Sequence, residues 1–317
     1  MSSNSLVQAT NLYRYFSQHC AVNNVSFELA RGEVLGFLGP NGAGKSSTMQ
    51  MLTGNLAPSA GEIRINGIDL LEQPKRAKQE IGYLAEQPPV YRELTVDEYL
   101  NYCARLNRIA GNQRQAAVAK AKERCGLGDV GMRLIGNLSK GYQQRVGIAQ
   151  AIIHTPAIVI LDEPTVGLDP IQIREIRSLI RELGEDHGII LSTHILPEVQ
   201  ATCSRVQIIH QGQLVFSDSM TGLEQRLDST ALLAQFENMP ELDVLAQIPG
   251  IQQVTPVDDG RVRLDFAGDN PAEALIEQSV AQGWRLQEIA PQQHTLEQIF
   301  IDLTCSDAPE TENGDAA

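Results

Sequence analysis

Long apolar runs are missing from this 317-residue sequence. No stretch approaches the ~18 to 20 consecutive apolar residues needed to span a bilayer, so any work at a membrane requires another chain to do the spanning. The opening MSSNSLVQATNLYRYF lacks a basic start, an apolar core and a small-residue cleavage site. That excludes a secretory leader in this stretch and makes the cytoplasm the expected compartment. Cysteine is scarce. The five residues (Cys20, Cys103, Cys125, Cys203, Cys305) are odd in number and far apart, with no CxxC. That excludes a disulfide framework or a zinc ribbon and leaves reduced, mostly buried thiols. Lysine runs out at Lys140, and basic charge nearly runs out with it. Residues 219–317 hold 4 Lys+Arg against 18 Asp+Glu, whereas residues 1–218 hold 21 of each, so the whole net charge of -14 lies in the last third. A segment that acidic is repelled by nucleic acid and by anionic lipid, so neither is expected as its partner; a solvated acidic surface accounts for it.

What is present is a globular composition, 42% hydrophobic and 20% charged, long enough for roughly two domains. Through the first two hundred residues short apolar runs alternate with helix-like segments, which implies an α/β architecture with a largely parallel sheet. The expected central strands are VLGFL (34–38), IGYLA (81–85), AIVIL (157–161) and GIILS (188–192). AIVIL is apolar on both faces, as a strand covered by helices on each side should be. Hairpin-like pieces, AVNNVSFEL and EIRINGIDL, offer Asn-Asn and Asn-Gly as turn residues. A boundary is expected at about residues 218–225. Beyond it the pattern reads strand (231–237), helix (241–247), two hairpin strands around DDG (253–257 and 261–266), helix (271–282), strand (284–289) and helix (295–303). This βαββαβ order predicts a small α+β domain of ferredoxin-like arrangement over 219–304. The tail, 305–317, is acidic, has little to bury and is expected to be disordered.

GPNGAGKSS, residues 39–47, fits G-x-x-x-x-G-K-[ST] directly after an apolar strand and before a helix-compatible run. Glycines at 39, 42 and 44 let the backbone wrap a phosphate with its N–H groups, and the following helix presents its positive end to the same anion. Lys45 would reach the β- and γ-phosphates and the Ser46 hydroxyl would ligate Mg²⁺. AIVILDEP supplies a strand ending in two carboxylates. Asp162 would bind Mg²⁺ and Glu163 would polarise an attacking water; alone, such a pair is more often a helix-start cap. What favours chemistry is that Gln87 and His194 stand just past IGYLAE and GIILST, so four polar groups at the carboxyl ends of parallel strands converge on one crevice. No N-K-x-D occurs, which removes a guanine-reading switch. LSKGYQQRVGIAQ, residues 138–150, is half of a second anion site: Ser139 can cap a helix and Gly141 removes a side chain where phosphate would approach, but neither a lysine nor a metal ligand is supplied. Such a half-site is useful if it closes over another chain's γ-phosphate, which implies a head-to-tail pair of nucleotide domains.

The order of these motifs resembles the nucleotide-binding domain of an ABC transporter. GPNGAGKSS is similar to its Walker A, Gln87 to its Q-loop glutamine, LSKGYQQR to its signature motif, ILDEP to its Walker B, GLD (167–169) to its D-loop and STH to its switch histidine. The resemblance covers about residues 6–216. Lys140 and Tyr142 depart from the usual signature glycine and glutamine, yet LSKGY, PPVYRELTVDEYL and HTLEQIFIDLT resemble the ATPases of the second class of ABC exporters, the drug-efflux and gliding-motility type.

The resemblance implies a P-loop NTPase cassette over 1–218, with an N-terminal antiparallel β part and a helical subdomain at about 88–150, followed by the accessory C-terminal domain. It implies ATP and Mg²⁺ as ligands. Nucleotide contacts would come from Gly39, Pro40, Asn41, Gly42, Ala43, Gly44, Lys45, Ser46 and Ser47, with Ser139 and Gly141 acting in trans. Metal contacts would come from Ser46, Gln87 and Asp162, and catalytic ones from Glu163, His194, Gln87 and Lys45. An aromatic should stack on adenine; Phe16 fits best by spacing, with Tyr13 and Tyr15 as alternatives. Implied partners are a second nucleotide-binding subunit, most simply a second copy, and separately encoded membrane permease subunits that hold the chain at the inner face of the membrane. Those subunits would dock near Tyr91 and Arg92, and no nucleic-acid partner is expected. An importer ATPase, or a soluble ATPase of this type acting on ribosomes or DNA, is the alternative. Thr95 and Glu98 form a capping box, which explains them structurally.

Overall fold

The computed structural model describes residues 5–225, 231–257, 260–266 and 268–292. The chain forms two compact units, Met1–Met220 and Thr221–Ala317. In the first, β1 (Ser5–Phe16) and β2 (His19–Ala30) form a long antiparallel pair, β3 (Val34–Leu38) leads into α1 (Lys45–Leu52), and β4 (Ala60–Ile65) and β5 (Ile68–Asp69) make a hairpin. Then come α2 (Pro74–Gln79), β6 (Ile81–Leu84), α3 (Val96–Leu106), α4 (Gly111–Arg124) and α5 (Lys140–Ile152). The unit is completed by β7 (Ile158–Asp162), α6 (Pro170–Asp186), β8 (Gly188–Thr193), α7 (Leu196–Thr202), β9 (Arg205–His210) and β10 (Gln213–Ser219). A six-stranded sheet runs β10-β9-β3-β8-β7-β6, parallel throughout except for β10 at its edge. A four-stranded antiparallel sheet runs β2-β1-β4-β5.

Every residue of β3, β7 and β8 is buried, which matches their unbroken apolar sequences and the helices that cover both faces of a parallel sheet. One contiguous core joins the two sheets: Leu12, Val25, Phe27 and Ile63 from the antiparallel sheet, Met49, Met51 and Leu52 from α1, and Leu35, Phe37, Ile160 and Ile190 from the parallel one. The Phe27 and Phe37 rings meet at 5.6 Å across that seam. Burying each such side chain contributes roughly 1.5–3 kcal/mol. Gly82 in β6 allows close contact with α5: a Cβ there would lie 2.2 Å from the Ala151 carbonyl oxygen.

The four expected central strands lie in place to within a residue, whereas in the second unit 253–257 begins at 251 and 284–289 is shifted to 286–292; Asn66-Gly67 makes the β4–β5 turn with both φ angles positive (48° and 77°). Asn-Asn does not make a turn. The β1–β2 hairpin turns at Ser17 and Gln18, and Asn24 sits inside β2 with φ 55°, opposite Asn11 with φ 49°. Asparagine tolerates the left-handed region, so the pair builds a bulge in a continuous ribbon, and Asn11 Nδ2 donates to Asn24 Oδ1 at 2.7 Å. The capping box forms as read: Thr95 Oγ1 accepts from the Glu98 amide at 3.2 Å, and the Thr95 amide donates to Glu98 Oε2 at 2.8 Å.

After α8 (Met220–Gln225), the second unit runs β11 (Ala231–Phe236), α9 (Leu242–Leu245), β12 (Ile251–Val257), β13 (Arg261–Phe266), α10 (Ala272–Gln282) and β14 (Leu286–Gln292). Its antiparallel sheet has the order β12-β13-β11-β14, so the first and third strands lie centrally, the arrangement of a ferredoxin-like βαββαβ unit. Its own core is Leu232, Phe236, Val262, Leu264, Leu275 and Trp284, with the Phe236 and Trp284 rings edge to face at 6.1 Å. The predicted helix at 295–303 and the acidic tail at 305–317 lie outside the described residues, as does Cys305. The other four cysteines are free thiols, and burial pushes those of Cys125 and Cys203 up to about 12.

Candidate functional site

Because β3, β8, β7 and β6 are parallel neighbours, their carboxyl ends deliver residues 39–47, His194, Asp162 with Glu163, and Glu86 with Gln87 to one edge of the sheet. Residues 39–47 leave β3 and turn directly into α1. Gly44 is the hinge of that turn. It has φ 105°, and a Cβ would lie 2.5 Å from the Ala21 carbonyl oxygen, so any side chain would be both strained and obstructed. No side chain caps α1, which leaves its first amide N–H groups free for an anion.

Lys45, the first residue of α1, is 5% exposed. Its ammonium donates to the carbonyls of Gly39 at 2.8 Å and Pro40 at 3.2 Å and lies 3.6 Å from Glu163 Oε1. Burial pushes its pKa down, and the Glu163 and Asp162 carboxylates oppose that shift. Glu163 is buried and adopts a left-handed backbone at φ 48°, with its amide donating to the Ser192 carbonyl at 2.9 Å. His194 Nδ1 sits 3.0 Å from both Glu163 carboxylate oxygens. Asp162 closes β7 at 4% exposure, and burial pushes its pKa up.

Lys45, Glu163 and His194 face a cavity of about 480 Å³ that is also lined by Phe16, Asn41, Gly42, Gly44, Ser46 and Ser47, among others. Phe16 is therefore in the cavity wall, whereas Tyr13 and Tyr15 stack on each other at 6.4 Å and do not line it. The Arg14 guanidinium lies 4.6 Å from the Phe16 ring centroid and donates to the Ala57 carbonyl at 2.9 Å, which fixes one face of that ring. Glu86 lines this cavity; Gln87 does not. Gln87 lines a neighbouring cavity of about 570 Å³ with Arg92, Lys140, Gln143 and Gln144, and the two cavities share Glu86 and Val166. Glu86 and Gln87 follow the same strand, so sequence position alone does not tell which one turns inward.

Asp162 Oδ1 is a buried carboxylate oxygen with no hydrogen-bond partner among the described residues. Such an orphan acceptor, near the hydroxyl-bearing first turn of α1 that packs on β7, suits a hard cation. Among the described residues no group of three His, Cys, Asp or Glu converges to cage a metal. The donor set therefore fits Mg²⁺ held by one hydroxyl, one or two side-chain oxygens and a ligand's phosphates, the usual manner for that ion.

Ser139 caps α5, accepting from the Tyr142 amide, and Gly141 is buried in its first turn. Neither lines the 480 Å³ cavity of its own chain. Gly141 lies against Gln172 of α6, where a Cβ would be 2.6 Å from the side-chain amide carbon. Asp169 starts α6, its carboxylate accepting from the amides of Ile171 at 3.0 Å and Gln172 at 2.9 Å. Tyr91, of the expected docking region, is exposed and packs edge-on against Tyr99 and Tyr102.

The sequence profile of the family described as "ABC transporter" matches residues 22–166. An uncharacterized ABC transporter ATP-binding protein of Bacillus subtilis, YdbJ, is 33% identical over 293 residues, covering 92% of each chain and so extending through the second unit. The bacitracin transport ATP-binding protein BcrA of Bacillus licheniformis is 37% identical over 224 residues, 70% of this chain and 72% of that one. The solved structure of an ATP-binding subunit of an ABC transporter superposes with a TM-score of 0.63 at 29% identity, covering 70% of this chain and 92% of the other.

Proposed function

The chain belongs to the ABC transporter family, and from that premise we propose that it is the ATP-binding and ATP-hydrolysing subunit of an exporter whose membrane-spanning part is formed by separate chains. The observation that carries the reading is the meeting of Glu163, His194 and Lys45 over the phosphate-binding turn, at the mouth of a cavity that also holds Phe16. The amides of residues 42–47 wrap the phosphates, and Phe16 stacks on the base. Lys45 exchanges the Gly39 and Pro40 carbonyls for β- and γ-phosphate oxygens. Ser46 and Asp162 would hold Mg²⁺, which when bound would neutralise charge on the phosphates; Gln87, which lines the neighbouring cavity, would join them only by turning inward. Glu163 orients the attacking water and draws on its proton as its oxygen bonds to the γ-phosphorus, while the bond to the bridging oxygen breaks and ADP leaves with the electron pair. His194 holds Glu163 through Nδ1 in the nucleotide-free site, and its ring N–H turns to the γ-phosphate when nucleotide is bound.

Ser139 and Gly141 lie away from their own cavity and complete that of a second nucleotide-binding subunit, most simply a second copy. ATP binding thereby populates a closed dimer, and hydrolysis releases it. A transport role is supported by the name of a 37% identical relative, and export by the ferredoxin-like unit that follows the cassette. The chain would sit at the inner face of the membrane through its permease partners, docked near Tyr91 and Arg92. No helix among the described residues is long and apolar enough to cross a membrane itself.

Glu163→Gln keeps the volume and removes the base. It is expected to bind ATP with parental affinity, to lose turnover by roughly 10² or more, and to accumulate as an ATP-dependent dimer in size-exclusion chromatography. Hydrolysis at the parental rate would overturn the role of Glu163.

A further inference from the structure

Among the described residues of the first unit three carboxylates are buried: Glu163 lines the phosphate cavity and Asp162 precedes it at the end of β7. The third, Glu198 of α7, is 1% exposed and belongs to none of the motifs. No cation pairs with it among the described residues. Its two oxygens are instead met by two hydroxyls: Thr165 Oγ1 donates to Oε1, and Thr193 Oγ1 donates to Oε2 at 2.8 Å. Both threonines are themselves buried, at 2% and 0% exposure. Thr193 Oγ1 also accepts from the Ile195 amide at 3.1 Å, which orients that hydroxyl, and Thr202 Oγ1 donates to the Glu198 backbone carbonyl at 2.6 Å.

The two hydroxyls come from different segments. Thr165 is two residues beyond Glu163, in the loop that runs to Asp169, and Thr193 immediately precedes His194. Glu198 thus joins the loop carrying Glu163 to the strand end carrying His194. The left-handed backbone of Glu163 needs holding from outside, because a non-glycine residue does not rest there unaided. One hold is the Glu163 amide on the Ser192 carbonyl; the Glu198 clamp is the second, on the other side of the same residue. A side chain that merely filled this space would not carry a charge, since burying a carboxylate is expensive and two hydroxyl donors are what make it tolerable here.

We propose that Glu198 is a positioning residue for ATP hydrolysis: through Thr165 and Thr193 it locks the Glu163 loop to the His194 segment and so sets the 3.0 Å contact between those two side chains. The proposal rests on the ATPase reading above, and its test includes a readout that does not depend on turnover.

The experiment compares Glu198→Ala and Glu198→Gln with the parent full-length chain, by amide hydrogen exchange of residues 163–169 and 192–196, ATP affinity and ATP turnover. Removing the carboxylate should speed exchange in both segments while β3 stays protected. Turnover should fall roughly ten- to a hundred-fold with ATP affinity held within about three-fold, the pattern of misplaced rather than missing groups. Glu198→Gln preserves volume and can still serve both hydroxyls, so it should fold normally and recover most of the loss. In a His194→Ala background, Glu198→Ala should add less than about two-fold, because the two act as one unit. Parental exchange in both segments of Glu198→Ala, an undiminished further loss in the His194→Ala background, or no recovery in Glu198→Gln would each overturn the clamp. A parent chain that fails to hydrolyse ATP would sink the ATPase reading, and the exchange measurement would still decide whether Glu198 holds the two segments together.

Discussion

Replacing Asp162 with Asn should stabilise the nucleotide-free protein while removing its response to Mg²⁺. Asp162 is 4% exposed, its Oδ1 has no partner among the described residues, and burial raises its pKa above the ordinary 3.8, with Glu163 and Glu86 pushing the same way and Ser192 and Lys45 opposing. The folded state therefore holds this proton more tightly than the unfolded state. As pH rises from about 3.8 through the folded pKa, the unfolded state has already released the proton, and stability falls; above that window the full penalty is present. A buried polar group without a partner costs about 1–3 kcal/mol. An amide still has polar atoms to satisfy, so the expected gain at neutral pH is toward the low end, about 1 kcal/mol, or ~2–4 °C in melting temperature for a unit of this size. The gain should disappear below pH ~3.8, where the parent carboxyl is neutral too. The assay is thermal unfolding in EDTA at neutral and acid pH, then with ATP and Mg²⁺ added. The parent should gain about 2.7 kcal/mol at a hundred-fold excess over Kd, and the magnesium-dependent part of that gain should vanish in the variant. An Asp162→Asn protein less stable than the parent in EDTA at neutral pH would rule out an unpaired buried carboxylate, and one that responds equally to Mg²⁺ would take Asp162 out of the metal site.

Phe16→Ala should weaken ATP and ADP binding by the same factor, roughly 5- to 150-fold from ~1–3 kcal/mol of base stacking, because both nucleotides carry the same base. Isothermal titration checks this, and unchanged affinities would take Phe16 out of the site. Thr95→Ala removes the capping-box hydroxyl of α3 and should lower stability by about 1 kcal/mol in urea titration while leaving ATP affinity within about two-fold. A loss of ATP affinity instead would tie the helical region to nucleotide binding more tightly than its geometry suggests.

The parallel sheet was legible because VLGFL, IGYLA, AIVIL and GIILS are short, apolar on both faces and flanked by polar turns, a pattern few other structures satisfy. Strand ends then located Lys45, Glu163 and His194, since the carboxyl edge of such a sheet is one place in space. Local chemistry worked where it is complete within four residues, as in the Thr95–Glu98 box and the Asn66-Gly67 turn. It failed at Asn23-Asn24, where a pair able to turn the chain instead bulges a long ribbon whose register Asn11 shares from the other strand. Which of Glu86 and Gln87 faces the cavity depends on a rotation at the end of β6 that composition does not encode. Glu198 left no mark at all: an isolated glutamate in a short helix reads as solvated surface, and its partners Thr165 and Thr193 lie 33 and 5 residues away.

Co-purification decides whether the phosphate site of this chain drives a membrane exporter made of other chains. The tagged chain would be drawn from membranes in mild detergent, alongside the soluble fraction, and its companions identified and counted. A polytopic membrane protein in fixed stoichiometry with two nucleotide-binding subunits is expected. Recovery from the soluble fraction alone, with ribosomes or with no companion, would contradict it.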